Sequence, residues 1–271
     1  MADRFSFYSL ILSMTALSGC ARSAPQYPNN QKKDNIGQQA LEEILCPAVK
    51  VDVEGTFEIK FGNTALSGTF SGPRGSGVAV YDDESKKSYV FTARHVINDN
   101  VINEEVLPGL VLRYTSTVKE IKVNGYTAVP VRKNKLYDIG MLEIQGGTLP
   151  CHFKGKLAQK VEVGDLVAVV GYPAMEEKTL ALGYVASEKL GTEVYLDVYE
   201  IFGVPQRIVA DVSLAPGSSG SPVYVFKGGK PYLGGMIQVL YHSKPGFGFV
   251  PVEVLRGLVK GTPLSDELLE E

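Results

Sequence analysis

Histidine and cysteine are scarce, three of each in 271 residues. None of them falls into a Cys/His cluster with metal-ligand spacing, so no zinc site and no metal or other cofactor is expected. Excess basic charge is also missing: 27 Lys and Arg stand against 30 Asp and Glu, a net charge of −3. Without a basic footprint the chain is not a nucleic-acid binder. No repeat with a period of 20 to 50 residues and no heptad pattern is present, which excludes solenoids and coiled coils. Apolar runs long enough for a permanent membrane span are absent as well. The longest, Phe5 to Leu17, falls short of the roughly 20 residues that a spanning helix needs.

What remains is an ordinary globular composition, 44% hydrophobic and 21% charged, with 29 glycines and 15 prolines. The body is long enough to bury a sizeable core as one large β domain or two small units sharing an interface. Short runs rich in Val, Ile, Tyr and Phe recur between Gly, Asn and Asp clusters, the pattern of an all-β architecture built from hairpins. One set is expected at Val49 to Val53, Thr56 to Phe61, Gly77 to Tyr81, Tyr89 to Thr92, Val111 to Tyr114, Thr117 to Val123 and Ile139 to Ile144. A second set is expected at Leu166 to Val170, Leu180 to Ser187, Val194 to Val198, Arg207 to Val212, Val223 to Phe226, Leu233 to Val239 and Phe247 to Val250. Two helices flank them. Leu41, Ile44 and Leu45 share one face of a short helix over Gln38 to Leu45, ended by Pro47, and Val252 to Lys260 reads as a closing helix.

The N-terminal run ends in Leu17-Ser18-Gly19-Cys20. It reads as a cleaved export signal, and its last four residues resemble the lipobox of bacterial lipoproteins. That resemblance implies acylation of Cys20, and two or more acyl chains suffice for stable attachment to a membrane. Ala21 to about Gly37 is polar and without apolar periodicity, as a flexible tether would be. The resulting organisation is a signal peptide over 1–19, a tether and short helix over 20–46, a folded domain over 47–262 and a solvated acidic tail over 263–271.

Three stretches carry chemistry. Ala215-Pro216-Gly217-Ser218-Ser219-Gly220-Ser221-Pro222-Val223 is a small-residue turn between apolar runs. A serine hydroxyl attacks well only at a sharp bend, where a base reaches it and backbone N–H groups face the developing oxyanion. Ser219 is the expected nucleophile, with the N–H groups of Gly217 and Ser219 as the oxyanion hole. Val90-Phe91-Thr92-Ala93-Arg94-His95-Val96-Ile97 is a strand ending on a histidine, the candidate base. Asp138 opens the apolar run Ile139-Gly140-Met141-Leu142, where a carboxylate is costly to bury unless something needs it. The chain order His95, Asp138, Ser219 separates this set from α/β-hydrolases and subtilisins, whose triads run in other orders.

With these pieces in place the sequence resembles the trypsin-like (chymotrypsin-fold) serine proteases, most of all the protease domain of the HtrA group. The matching segments are Gly75-Ser76-Gly77-Val78, Thr92-Ala93-Arg94-His95-Val96, Asp138-Ile139-Gly140-Met141-Leu142, Val163-Gly164-Asp165 leading to Val170-Gly171-Tyr172-Pro173, Gly217-Ser218-Ser219-Gly220-Ser221-Pro222 and Gly246-Phe247-Gly248-Phe249-Val250-Pro251. The resemblance implies two six-stranded antiparallel β-barrels, over about 47–150 and 160–258, with a short C-terminal helix and the site in the cleft between the barrels. It implies a serine endopeptidase acting on protein or peptide through an acyl-enzyme.

The sequence departs from the family pattern in several places. Ser218 stands where digestive members carry an Asp, so no charge-pair zymogen switch is expected. Ser213 stands where trypsins hold a pocket carboxylate. The position at which glutamyl endopeptidases use a pocket histidine aligns with Met236, Ile237 or Gln238, and His242 falls too late. Ser213 and Gln238 are therefore the candidate pocket residues, with small or medium apolar side chains preferred at the cleaved site. Few residues follow the closing helix, so the PDZ domain usual in the HtrA group is not expected. Cys46 and Cys151 could form a disulfide in an exported protein. The competing reading is a catalytically silent or partner-gated lipoprotein of the same fold that binds peptides or proteins.

Overall fold

The computed structural model describes residues 36–107, 110–175, 177–187, 208–212, 214–240 and 247–269. The expected strand over Val194 to Val198 lies outside them, as do Cys20 and the whole N-terminal signal and tether up to residue 35. Among the described residues no helix is long and apolar enough to cross a membrane.

The first barrel is made of β1 (Ala48–Phe61), β2 (Thr64–Asp82), β3 (Lys87–Ala93), β5 (Leu110–Val123), β6 (Tyr126–Asn134) and β7 (Ile139–Ile144). Its order is β1-β2-β3-β7-β6-β5, and it closes where Val51 to Phe61 of β1 pairs with Leu112 to Val123 of β5. A seventh strand, β4 (Asn100–Leu107), pairs with the beginning of β5, whose last two residues pair with β6. The second barrel closes in the order β10-β13-β12-β11-β8-β9. Its strands are β8 (Leu166–Gly171), β9 (Thr179–Ser187), β10 (Ile208–Asp211), β11 (Pro222–Lys227), β12 (Lys230–Leu240) and β13 (Phe247–Pro251).

Two features differ from the reading of the sequence. Val49 to Val53 and Thr56 to Phe61 form one continuous strand, as do Val111 to Tyr114 and Thr117 to Val123. Gly55 does not interrupt its strand because it lies against the ring of Phe70 across the pair, where a side chain would collide. β4 and β6 escape notice because β6 alternates poorly: Val129 and Val131 are exposed, with Pro130 between them.

The barrels share a core. Along β3 the side chains alternate between two clusters. Val90 points with Ala79 and Leu142 into the interior of the first barrel, while Tyr89 and Phe91 join Val78, Ile139 and Met141 in a cluster continuous with Val169, Tyr224 and Phe249 of the second. Both faces of β3 are thereby buried, which explains its unbroken apolar run. The strand runs between the two cores and delivers its C-terminal residues to their boundary.

Helix α1 (Gln38–Leu45) buries Ala40 and Ile44, with Leu41 and Leu45 half-buried beside them. Its next residue, Cys46, is bridged to Cys151 in the connection between the barrels, with Cα atoms 5.8 Å apart. Helix α2 (Val252–Val259) buries Val252, Leu255, Leu258 and Val259. Arg132 of β6 donates to the carbonyls of Leu258, Lys260 and Gly261 at 3.0, 2.9 and 3.2 Å, closing that helix onto the first barrel. The expected solvated tail is a correction. A short helix α3 (Ser265–Leu268) continues the body, with Leu264 and Leu268 fully buried, and the Leu268 carbonyl accepts from the Leu157 N–H at 2.9 Å. Acidic residues on its outer side hid an apolar pair four apart on one helix face.

Candidate active site

His95 leaves β3 in a short 3-10 turn, Arg94–Val96. Asp138 stands across the neighbouring strand, at the entrance to β7, and the two side chains meet. The Asp138 Oδ2 lies 2.5 Å from the His95 Nδ1, and its Oδ1 accepts the His95 backbone N–H at 2.8 Å. A carboxylate on that nitrogen favours the tautomer with the proton on Nδ1, which leaves Nε2 as the acceptor nitrogen of the ring. Asp138 is 5% exposed, a position in which a carboxylate persists only with such partners.

The local fold that achieves this is strained. Asp138 has φ of 54°, in the left-handed region that Asp tolerates better than most residues. In that conformation its carbonyl accepts the Arg94 N–H at 2.9 Å while its carboxylate holds His95. One residue thus grips the histidine turn by backbone and side chain together. Arg94 and Lys133 put positive charge on this side of the site. Burial, and then the Arg94 charge, lower the Lys133 pKa, while its ammonium donates to Asn98 at 2.9 Å.

The Ser219 turn comes from the second barrel, between β10 and β11. Gly217 and Gly220 have φ of 97° and 82°, backbone that suits glycine. The turn is held from within by Ser218 N–H to Ala215 O at 3.1 Å and Ser221 N–H to Ser218 O at 2.9 Å. From β12 it is held by Gly220 N–H to Ile237 O and Ile237 N–H to Ser221 O, both 2.8 Å.

It is also seated on the first barrel. The Ser76 N–H donates to the Ser219 carbonyl at 2.8 Å. A side chain at Gly220 would strike the Ser76 carbonyl, and would lie 2.5 Å from Thr92 Oγ1 and 2.7 Å from the Ala93 nitrogen, two residues before His95. A side chain at Gly75 would lie 2.6 Å from Val96 and 2.8 Å from the Ser219 carbonyl. The Ser219 turn therefore packs through Gly220 on the end of the histidine strand, and Gly75 lies between the Ser219 carbonyl and Val96 of the histidine turn. Among the described residues the Ser219 hydroxyl makes no hydrogen bond, and neither the Gly217 nor the Ser219 N–H donates to a backbone carbonyl. Hydrogen bonds of this kind often tighten only when substrate binds.

A model of the trypsin-like peptidase domain matches residues 75–230, more than half of the chain, from the Gly75 contact through the Ser219 turn. The chain belongs to the trypsin-like peptidase family. Curated relatives include a probable periplasmic serine endoprotease, DegP-like, of Pseudomonas putida strain GB-1, 28% identical over 154 residues, which are 57% of this chain and 27% of that protein. Another of the same description, from Ectopseudomonas mendocina strain ymp, is 28% identical over 181 residues, 66% of this chain and 33% of that protein. The chain spans about a quarter to a third of the length of these relatives. A solved structure, "Crystal structure of Rv3671c protease, inactive form", aligns with a TM-score of 0.53 at 18% identity, covering 86% of this chain and 94% of that one. That likeness is one of fold, and it agrees with the pair of six-stranded barrels.

Of the two candidate pocket residues, Gln238 lies at a bulge of β12 next to Ile237, buried, with neither amide atom hydrogen-bonded to the described residues. Ser213 and His242 lie outside the described residues. His152 is remote from this constellation: its Nε2 is 2.8 Å from the buried Ser88 hydroxyl, and its ring leans on Tyr81. No group of three His, Cys, Asp or Glu side chains that could hold a metal occurs among the described residues. Reading the sequence missed Thr92 and Ser76 as partners of the Ser219 turn. Both stood inside matched segments, but Ser76 bonds to Tyr172 and Gly217, 96 and 141 residues away, and spacing carries no sign of such contacts.

Proposed function

We propose that the chain is a serine endopeptidase in which Ser219 attacks the scissile carbonyl. His95 accepts the hydroxyl proton at Nε2, and the new C–O bond gives a tetrahedral intermediate whose oxyanion lies against the N–H groups of Gly217 and Ser219. The intermediate collapses by breaking the C–N bond, the imidazolium giving its proton to the leaving amine. Water then attacks the Ser219 ester with the same base and returns the hydroxyl. Asp138 fixes the tautomer and steadies the imidazolium.

The observation that carries this reading is the double grip of Asp138 on His95, at 2.5 and 2.8 Å, beside a turn whose backbone packs against the histidine strand. A merely structural histidine has no need of a buried carboxylate on Nδ1 together with a second bond to its own N–H. The small or medium apolar preference at the cleaved bond, with Ser213 and Gln238 at the pocket, belongs to the same reading.

The place of action is the cell envelope, on a lipid anchor at Cys20. Support comes from the Leu17-Ser18-Gly19-Cys20 pattern after an apolar run and from relatives described as periplasmic.

The test is digestion of casein by residues 21–271, wild type against Ser219→Ala, with mass spectrometry of the fragments. Cleavage that disappears in the variant establishes the nucleophile, and residues flanking the cuts report the pocket preference. Cleavage that survives in Ser219→Ala overturns the assignment. For the anchor, [³H]palmitate incorporation that vanishes in Cys20→Ala is expected; a membrane-free, unlabelled wild type overturns that part alone.

A further inference from the structure

Ser76 stands in the middle of β2 and is fully buried. Its backbone is committed on both sides, donating to the Ser219 carbonyl at 2.8 Å and accepting from Thr92 Oγ1 at 2.7 Å. Its hydroxyl has two further partners, the Tyr172 N–H and the Gly217 carbonyl, each at 2.9 Å. An N–H can only donate and a carbonyl can only accept, so the single hydroxyl proton goes to Gly217.

The Gly217 carbonyl belongs to the peptide unit that joins Gly217 to Ser218, and the N–H of that same unit donates to Ala215 at 3.1 Å. The unit is thereby fixed at both ends. Without the Ser76 bond this planar unit is held only by its bond to Ala215, and Gly217, at φ of 97°, has backbone alternatives closed to other residues. The Gly217 N–H lies in the preceding unit, whose Pro216 carbonyl accepts from the Ala174 N–H at 2.6 Å, so turning the Gly217–Ser218 unit instead shifts Ser218 and Ser219 relative to that N–H. Space for the hydroxyl is kept by Gly171, where a side chain would lie 3.0 Å from Ser76 Oγ.

We infer that Ser76 is a positioning residue for the oxyanion-holding turn: from the first barrel, its hydroxyl sets the orientation of the Gly217–Ser218 peptide and so the aim of the Ser219 N–H relative to the Gly217 N–H. This rests on the proposed roles of Gly217 and Ser219.

The experiment is time-resolved labelling of the full chain by an alkyl fluorophosphonate, which forms its tetrahedral adduct at the nucleophile and loads the oxyanion hole. The rate at saturating probe, the half-saturating concentration and the final labelled fraction are read for wild type, Ser76→Ala, Ser76→Cys and Ser219→Ala. Removing an oxyanion donor outright costs about 10²- to 10³-fold in rate. A donor left in place but mis-aimed is therefore expected to slow Ser76→Ala by about ten- to hundredfold, with the half-saturating concentration within about threefold of wild type. Ser76→Cys, which keeps a side chain in the gap with a weaker donor, is expected between the two.

A role in folding alone would lower the final labelled fraction and leave the rate of the remaining fraction untouched, and that result overturns the inference. So does an unchanged saturated rate in both variants. If wild type labels no more than Ser219→Ala, the proposed site itself fails and takes this inference with it. If wild type labels at Ser219 and Ser76→Ala matches it, only the inference fails.

Discussion

Asp138 and His95 are joined twice, once through the imidazole Nδ1 at 2.5 Å and once through the His95 backbone N–H at 2.8 Å. The two bonds have different functions. The backbone bond, with the Arg94 N–H on the Asp138 carbonyl, shapes the turn; the ring bond selects a tautomer.

Asp138→Asn separates them. The amide oxygen can still accept the backbone N–H, but an amide nitrogen facing Nδ1 favours the wrong tautomer, leaving Nε2 protonated. A folded enzyme with kcat lower by about 10³- to 10⁴-fold is expected. Ester hydrolysis beside a circular-dichroism melt checks it. A melt unchanged with full activity would remove Asp138 from the site.

Arg132 caps the C-terminal end of α2 with three bonds to Leu258, Lys260 and Gly261. Charge-assisted bonds to helix-end carbonyls contribute roughly 1–3 kcal/mol. Arg132→Ala is expected to lose about that much in urea unfolding, and Arg132→Lys, lacking the fork, to recover less than half of it.

The bridge between Cys46 and Cys151 closes a span of 105 residues in sequence. A loop of that length restricts the unfolded chain, and removing such a bond costs about 2–5 kcal/mol. Cys46→Ala/Cys151→Ala is expected to unfold at correspondingly lower urea, and dithiothreitol should shift wild type but not the double variant.

His152 gives a pH dependence that is independent of catalysis. The Leu149 N–H donates to Ser88 Oγ at 2.9 Å, and the same hydroxyl lies 2.8 Å from His152 Nε2. Burial, then the Lys154 charge, push its pKa below the ordinary imidazole value. The unfolded chain therefore binds the proton more readily. Stability from this group is complete above about pH 6.5 and is lost as pH falls from there through the folded-state value. His152→Gln should flatten the melting temperature of the protein between about pH 7 and 5; an equal slope in both proteins would discard the assignment.

Residue types and chain order revealed the architecture to the degree that they act locally. The runs at Ile139 to Ile144, Val223 to Phe226 and Phe247 to Val250 became strands because β-branched and aromatic residues between turns have little alternative. His95, Asp138 and the glycines around Ser219 could be read because a turn and a buried charge need particular residue types. The other features depended on tertiary contacts. Leu264 and Leu268 are buried by Leu157 and its neighbours, and no local pattern distinguishes them from a solvated tail. Ser76 is an unremarkable serine until Tyr172 and Gly217 meet it from the other barrel. Gln238 was singled out by its place opposite the pocket histidine of glutamyl endopeptidases, but its burial with both amide atoms unpaired among the described residues depends on a bulge that spacing cannot foretell.

Helix α1 ends at Leu45, and the next residue, Cys46, two before β1 begins at Ala48, is stapled to Cys151. A pull applied from the N-terminal side of α1 therefore reaches a covalent junction before it reaches the first strand. The load divides, and part of it passes into the connection between the barrels. β1, which pairs with both β2 and β5 and closes the first barrel, is spared being peeled from its end. Reduction of that one bond would turn a body that resists tension from its N-terminal side into one that unzips strand by strand.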